Sequence, residues 1–196
     1  MKIAVGGSAA NPPHFGHREL VSAVIGTGKF DQVRWTVSGD RPDKPGLPES
    51  RLRWEMGRMV MDRLELLEVL YEPGKAVPTI HVIADIRRSF ADAEIVWYCG
   101  ADHFLPREKF SGKCDILGFW DGGEYLFENQ EFLIIPRKGL AMEALQFPKR
   151  FTILEADIPE ISSTEIRRCI QEGERINHLT SEEVEEYIRK KKLYRT

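Results

Sequence analysis

The sequence predicts an α/β fold, a doubly wound parallel sheet with helices on both faces. Three observations predict it. Strand-like and helix-like segments alternate from the N-terminus to past the middle of the chain. The first apolar run, Ile3-Ala4-Val5, passes through Gly6-Gly7 into a helical pattern, as a strand–turn–helix unit does. The chain has 196 residues, of which 42% are hydrophobic, enough for the core of one domain.

Each element follows from its pattern. Ile3–Val5 reads as a short buried strand ended by Gly6-Gly7. Residues 15–25 read as a helix with Leu20, Val21, Val24 and Ile25 on one face, terminated by Gly26 and Gly28. Residues 32–38 alternate, with Val33, Trp35 and Val37 on one side, and read as the second strand. Residues 39–48 hold three prolines and two glycines and read as a loop. A helix is expected over 49–64, a strand over 66–71, a helix over 78–90 and a strand over 94–100. Further strands are expected over 132–135 and 151–154, and a polar helix over 181–192. In that last helix Arg189 to Lys192 fall at the C-terminal end, where cations complement the dipole. In open sheets of this kind ligands sit beyond the carboxyl ends of the strands. The segments after Val5 and after Cys99 both qualify.

Bulk properties narrow the function classes. Net charge is −3 with 30% charged residues, which gives no reason to expect a nucleic acid or an anionic membrane as partner. Cys99, Cys114 and Cys169 form neither a disulfide framework nor a CxxC pair. A reducing, cytoplasmic setting is the expectation. No signal-like segment or membrane-spanning apolar run is visible.

Two segments carry chemistry. The first runs Gly6-Gly7-Ser8-Ala9-Ala10-Asn11-Pro12-Pro13-His14-Phe15-Gly16-His17. Paired glycines let backbone N–H groups approach a ligand, and the helix start adds free N–H groups and a positive dipole end. His14 and His17, three apart, share one face of the first turn. Gly16 between them leaves room for a ring or ribose. The segment reads either as a plain strand–turn–helix connection or as a phosphate loop. Zinc on the two histidines lacks a third ligand at a sensible spacing. The second segment is Ile161-Ser162-Ser163-Thr164-Glu165-Ile166-Arg167-Arg168. It reads either as an ordinary capped helix or as a triphosphate cradle, with Arg167 one turn in and able to fold back onto an anion.

The first segment resembles the (H/T)xGH signature of the nucleotidyltransferase superfamily. More narrowly it resembles the GGSFNPPHxGH form of nicotinate- and nicotinamide-mononucleotide adenylyltransferases. Ala9-Ala10 stands where that form has one aromatic residue, so the loop is one residue longer. The second segment resembles the family's ISSTxIR motif, and residues 186–188 with 193–195 resemble the end of the bacterial enzymes. The resemblance spans nearly the whole chain and is weakest in the middle third. It implies a Rossmann-like sheet, a single nucleotidyltransferase domain over 1–196, and a C-terminal helical part from about 160.

The resemblance also implies roles. His14, His17, Lys44 and Arg167 would share the charge that develops on the phosphates. Ser163, Thr164 and Arg167 would hold the β- and γ-phosphates of ATP. Gly7, Ser8, Asn11 and Gly16 would line the loop, and Lys44 and Arg53 are the best matches for two family cations, with Arg51 competing for the latter. Gly100 would admit a sugar, and Asp102 would either accept hydroxyl hydrogen bonds or cap the following helix. Thr79 matches a threonine near the pyridine ring, and Phe110 stands where the family has a stacking tryptophan. Residues 112–130 have no counterpart and read as a lid, a dimer contact or an inert insertion.

The implied reaction is adenylyl transfer from ATP to a pyridine mononucleotide, with ATP carrying Mg²⁺ and no protein metal ligand. Three alternatives stay open: another phosphate acceptor such as phosphopantetheine, a nucleotide-binding regulator without catalysis, and an interaction protein on an inherited scaffold. Homo-oligomerisation is left open as well.

Overall fold

The computed structural model describes residues 1–41 and 43–195. Pro42 of the proline-rich loop and the last residue of the C-terminal part lie outside the described residues. Six strands form one sheet: β1 (Lys2–Ser8), β2 (Gln32–Val37), β3 (Leu67–Tyr71), β4 (Glu94–Gly100), β5 (Glu131–Ile135) and β6 (Arg150–Ile153). Their order is β3-β2-β1-β4-β5-β6, and every neighbouring pair is parallel. This is a Rossmann-like, doubly wound sheet. The order reverses between β1 and β4, so the crevice at their carboxyl ends is the place for a ligand.

The helices are α1 (Phe15–Gly26), α2 (Ser50–Val60), α3 (Thr79–Ser89), α4 (Asp115–Phe119), α5 (Gly123–Asn129), α6 (Ser163–Glu172) and α7 (Glu182–Lys191). The expected elements are present with shifted ends. The expected helix over 49–64 is shorter, and the strand over 132–135 starts one residue earlier. One difference has a clear cause. The glycine pair does not end β1, because the strand pairs with β2 through Gly6↔Trp35, Gly7↔Thr36 and Ser8↔Val37. A Cβ on Gly7 would collide with the Thr36 carbonyl oxygen, and one on Gly6 with Tyr98. Here glycine permits close strand approach rather than a turn.

Three apolar clusters hold the chain. One face of the sheet packs Ile3, Val5, Trp97 and Phe132 against Ile83 and Ile86 of α3, Ile116 of α4 and Leu126 of α5. The other packs Ala4, Val33, Trp35 and Tyr98 against Val21 and Val24 of α1. A third cluster joins Met56 and Val60 of α2 to Ile166 and Cys169 of α6 and Val184 and Ile188 of α7. The C-terminal helices therefore reach back to the element that follows β2. The span 112–130 is no loose insertion: it forms α4 and α5, with Ile116 and Leu126 in the core. No helix of the described residues is long and apolar enough to cross a membrane.

Candidate active site

Two clefts open at the carboxyl end of the sheet, on either side of the β1–α1 loop. One, about 310 Å³, is lined by Gly7 and Ser8 of β1, Thr36 of β2, Trp97 and Cys99 of β4, Thr79 and Val82 of α3, and by His103, Phe119 and Trp120. The other, about 290 Å³, is lined by His14, Gly16 and His17, by Pro136, Arg137 and Lys138 after β5, and by Ile158 to Ser162 before α6. A site able to hold two nucleotides with their phosphates between them has this form.

The start of α1 places the two histidines. His14 is the N-cap, with an extended backbone, and its N–H donates to His17 Nδ1 at 3.3 Å. The rings lie 3.8 Å apart, and His17 stands 5.7 Å from the Trp35 ring. A Cβ on Gly16 would lie 3.0 Å from the His14 ring. The room at Gly16 is thus taken by His14, not kept for a sugar. Burial pushes the His14 pKa down to about 4, and Arg137 adds to the effect. Burial also sets His17 well below its ordinary value, helped by His14, Arg137 and Lys44. Both rings are thereby held in the neutral form at pH 7, in which they can meet the charge on a phosphate only as hydrogen-bond donors. Because His17 Nδ1 accepts a hydrogen bond, its proton is assigned to Nε2, a neutral donor for a phosphate.

The start of α6 packs against this loop. Ser162 caps the helix, its hydroxyl accepting from the Glu165 N–H at 3.1 Å. Ser163 Oγ donates to the Pro12 carbonyl at 2.8 Å, and Arg167 Nη1 to the Asn11 carbonyl at 2.7 Å. Arg167 Nη2 reaches Thr164 Oγ1 at 3.2 Å. Both motifs thus meet in one structure, and α6 holds the first loop in place. The longer loop is accommodated by Ala10, buried and left-handed at φ 48°, whose N–H donates to Ser8 Oγ at 3.1 Å. Asn11 Oδ1 is buried without a hydrogen-bond partner.

Other expected residues fall differently. Lys44 is exposed in the loop after β2; partial desolvation lowers its pKa, and Arg41 adds to that. Arg53 is fully buried, and its guanidinium donates to the carbonyls of Pro48, Ala9, Ser38 and Gly39. With its donors turned inward, Arg53 braces two loops instead of presenting a charge to substrate. Asp102 neither caps a helix nor stands free; its Oδ1 pairs with Arg137 Nε at 2.9 Å. The pair fills the space beside Gly100, where a Cβ would meet Asp102 Oδ1 and Arg137 Nε, so that glycine admits the ion pair rather than a sugar. Phe110 stacks on Phe119 at 6.1 Å and packs over Gly118, behind the cleft wall and not on it. Thr79 does line the first cleft.

Several wall residues escaped the sequence reading. Arg137 follows β5 and becomes a neighbour of Asp102 only because β5 pairs with β4. Trp120, from the turn after α4, supplies the aromatic wall expected of Phe110, with its ring edge-on to Trp97 at 6.1 Å and to His103 at 5.5 Å. The signal available was the Phe119-Trp120 pair in the unaligned stretch. Cys99 lines the cleft, but burial, with Asp102 and Cys114, drives its thiol pKa well up, so it is a neutral wall.

The sequence matches the cytidylyltransferase-like family over residues 5–169. The chain belongs to this family of nucleotidyltransferases. Within it, the chain is 30% identical to a "Probable nicotinate-nucleotide adenylyltransferase" of Thermus thermophilus, over 100% of both chains. It is 25% identical to the protein of the same description from Clostridium tetani, over 99% of both. Among solved structures it resembles the Plasmodium falciparum nicotinic acid mononucleotide adenylyltransferase complexed with NaAD. That likeness has a TM-score of 0.81 at 20% identity, over 98% of this chain and 97% of that one. It bears on the fold.

Proposed function

We propose that this chain transfers the adenylyl group of ATP to nicotinate mononucleotide and releases pyrophosphate. The observation that carries the reading is the placement of the HxGH loop between two clefts at the β1/β4 switch point, braced by the ISSTxIR helix. Relatives of full length whose names state this activity support it. The domain reading goes with it: residues 1–196 work as a single nucleotidyltransferase domain, whose helical part from about 160 supports the loop.

A 5′-phosphate oxygen of the mononucleotide attacks the α-phosphorus of ATP. The bond from that phosphorus to the bridging oxygen breaks, and pyrophosphate leaves with the electron pair. The attacking phosphate is already ionised near neutral pH, so no protein base is needed. Catalysis rests on positioning and on donors aimed at the charge that develops. His17, and His14 beside it, act as neutral donors in a buried place where a hydrogen bond counts for more than in water. Arg167, Lys44 and Arg137 supply positive charge. Gly7, Ser8, Asn11 and Thr164 line the path of the phosphates, and Thr79 and Trp120 the mononucleotide cleft. Among the described residues no group of three or more His, Cys, Asp or Glu side chains is placed to hold a metal. Mg²⁺ is read as arriving with ATP, and when bound it would neutralise charge on the phosphates.

The test is pyrophosphate release from Mg-ATP with nicotinate mononucleotide, nicotinamide mononucleotide and phosphopantetheine as parallel acceptors. Release with nicotinate mononucleotide is expected. Release with phosphopantetheine alone would move the chain to another acceptor, and ATP binding without release from any would favour a regulator.

A further inference from the structure

The buried polar atoms that make no hydrogen bond among the described residues fall into two groups. Arg34 Nε, Asp102 Oδ1, His103 Nδ1 and Arg107 Nε each lie beside a charged side chain: Glu68 for the first, Arg137 for the second, Asp115 for the last two. The others are Asn11 Oδ1, His14 Nδ1, Ser38 Oγ and the Tyr194 hydroxyl. Asn11 and His14 belong to the β1–α1 loop, and Ser38 joins its start by donating its N–H to the Ser8 carbonyl at 3.0 Å. Tyr194 follows α7, far away in sequence, and has no part in the mechanism given above.

The chain is bent to bring Tyr194 to this place. Helix α7 ends on Lys192, left-handed at φ 54°, with the Lys192 and Leu193 N–H groups donating to the Arg189 and Ile188 carbonyls. Tyr194 is itself left-handed, at φ 62°. That backbone is an outlier for an aromatic residue and persists only where packing imposes it. The packing here is the apolar cluster of α2, α6 and α7, on which the Tyr194 side chain rests. Helices α2 and α6 also carry Arg53 and Arg167. Burial pushes the Tyr194 phenol pKa up, and the two cations that pull against it are Arg53 and Arg167.

These arginines grip the β1–α1 loop on either side of left-handed Ala10, Arg53 at the Ala9 carbonyl and Arg167 at the Asn11 carbonyl. This is the stretch where the loop is one residue longer than the motif it resembles. Two like charges gripping neighbouring carbonyls repel each other, more strongly away from water. A phenol oxygen offers two lone pairs, and turned toward both cations it offsets that repulsion. We propose that Tyr194 is a positioning residue for adenylyl transfer, its hydroxyl keeping Arg53 and Arg167 together on the β1–α1 loop so that the loop and Arg167 meet the phosphates in place. The inference rests on the adenylyl-transfer reading given above.

The test is a double-mutant cycle read in kinetics and in thermal unfolding. Tyr194→Phe keeps the ring in its cluster and removes only the oxygen. It should lower kcat/KM for Mg-ATP about fivefold or more, the size of one hydrogen-bond-like interaction. KM for nicotinate mononucleotide should stay nearly unchanged. In an Arg167→Gln background, followed by single turnover, the same substitution should lower the rate by less than about twofold, because one of the two cations is gone. The melting temperature of Tyr194→Phe should stay within about 2 °C of the wild type, since removing an oxygen that makes no hydrogen bond leaves no partner unsatisfied. Tyr194→Leu, which also gives up ring packing, should melt lower and shows what a structural loss looks like. Wild-type kinetics in Tyr194→Phe would overturn the inference, whatever its melting temperature. So would an equal loss in both backgrounds, which would mark an effect apart from the arginine pair. Failure of the wild type to release pyrophosphate with any acceptor would instead remove the adenylyl-transfer reading, and this inference with it.

Discussion

Two neutral histidines beside each other are a sensible device for a site that must receive a polyanion. A cationic pair would repel itself at 3.8 Å between ring centroids and would need a permanent counter-ion. In the proposed reaction neutral rings would donate without that requirement and would leave the positive charge to Arg167, Lys44 and Arg137. His17→Ala removes one such donor and should lower turnover by about 10²–10³. Steady-state kinetics on a variant with unchanged circular dichroism checks this, and full activity there would dismiss the role. Arg53 illustrates the opposite case, a charge used for structure. Its carbonyl partners come from both the β1–α1 loop and the loop after β2. Arg53→Met leaves those carbonyls buried and unpaired, a loss of about 3 kcal/mol or more. The melting temperature should fall by roughly 6–12 °C for a chain of this size. A shift under about 2 °C would return Arg53 to the list of ligand-facing cations.

At the scale of elements, α6 does two things with one turn. Ser162 satisfies its own helix start, while Ser163 and Arg167 hold the Asn11-Pro12 backbone of the other loop. The segment α4–α5 contributes a wall that the sequence had left without a role. Its α4 rests on Phe110, which packs over Gly118, and its outer turn carries Trp120 into the cleft. Trp120→Ala should raise KM for the mononucleotide about fivefold or more through lost ring contact, with KM for ATP nearly unchanged. Phe110→Ala should chiefly lower stability, since its ring touches the wall from behind. Equal KM effects from the two substitutions would contradict that division.

At the scale of the whole molecule, the buried histidines make the fold sensitive to acid. The His14 pKa is about 4 in the folded chain against an ordinary value of 6.5, so the unfolded chain binds more protons between those values. The stability contribution is complete above about pH 6.5 and is lost as pH falls toward 4, by roughly 3 kcal/mol for His14 alone. His17, depressed in the same direction, adds to the loss. Urea unfolding at a series of pH values should show this slope in the wild type and a shallower one in His14→Gln. Equal slopes would mean that His14 is accessible and able to take up its proton in the folded state.

What the sequence determined by itself is what local pattern determines. Alternation at Val33, Trp35 and Val37, the i, i+4 pair Ile166 and Ile170, and the order of strands and helices fixed the elements and the parallel sheet. The two motif segments were legible for the same reason, since each is a helix start with its donors in a single stretch of chain. The tertiary structure decided what lies between distant segments. Burial, not residue type, makes His14 and His17 neutral. The inward turn of Arg53, the Asp102–Arg137 pair and the substitution of Trp120 for Phe110 at the cleft all depend on which strands and turns become neighbours. Periodicity is a property of a few consecutive residues, whereas the charge, access and partners of a side chain are set by everything packed around it, and that is fixed only when the sheet closes.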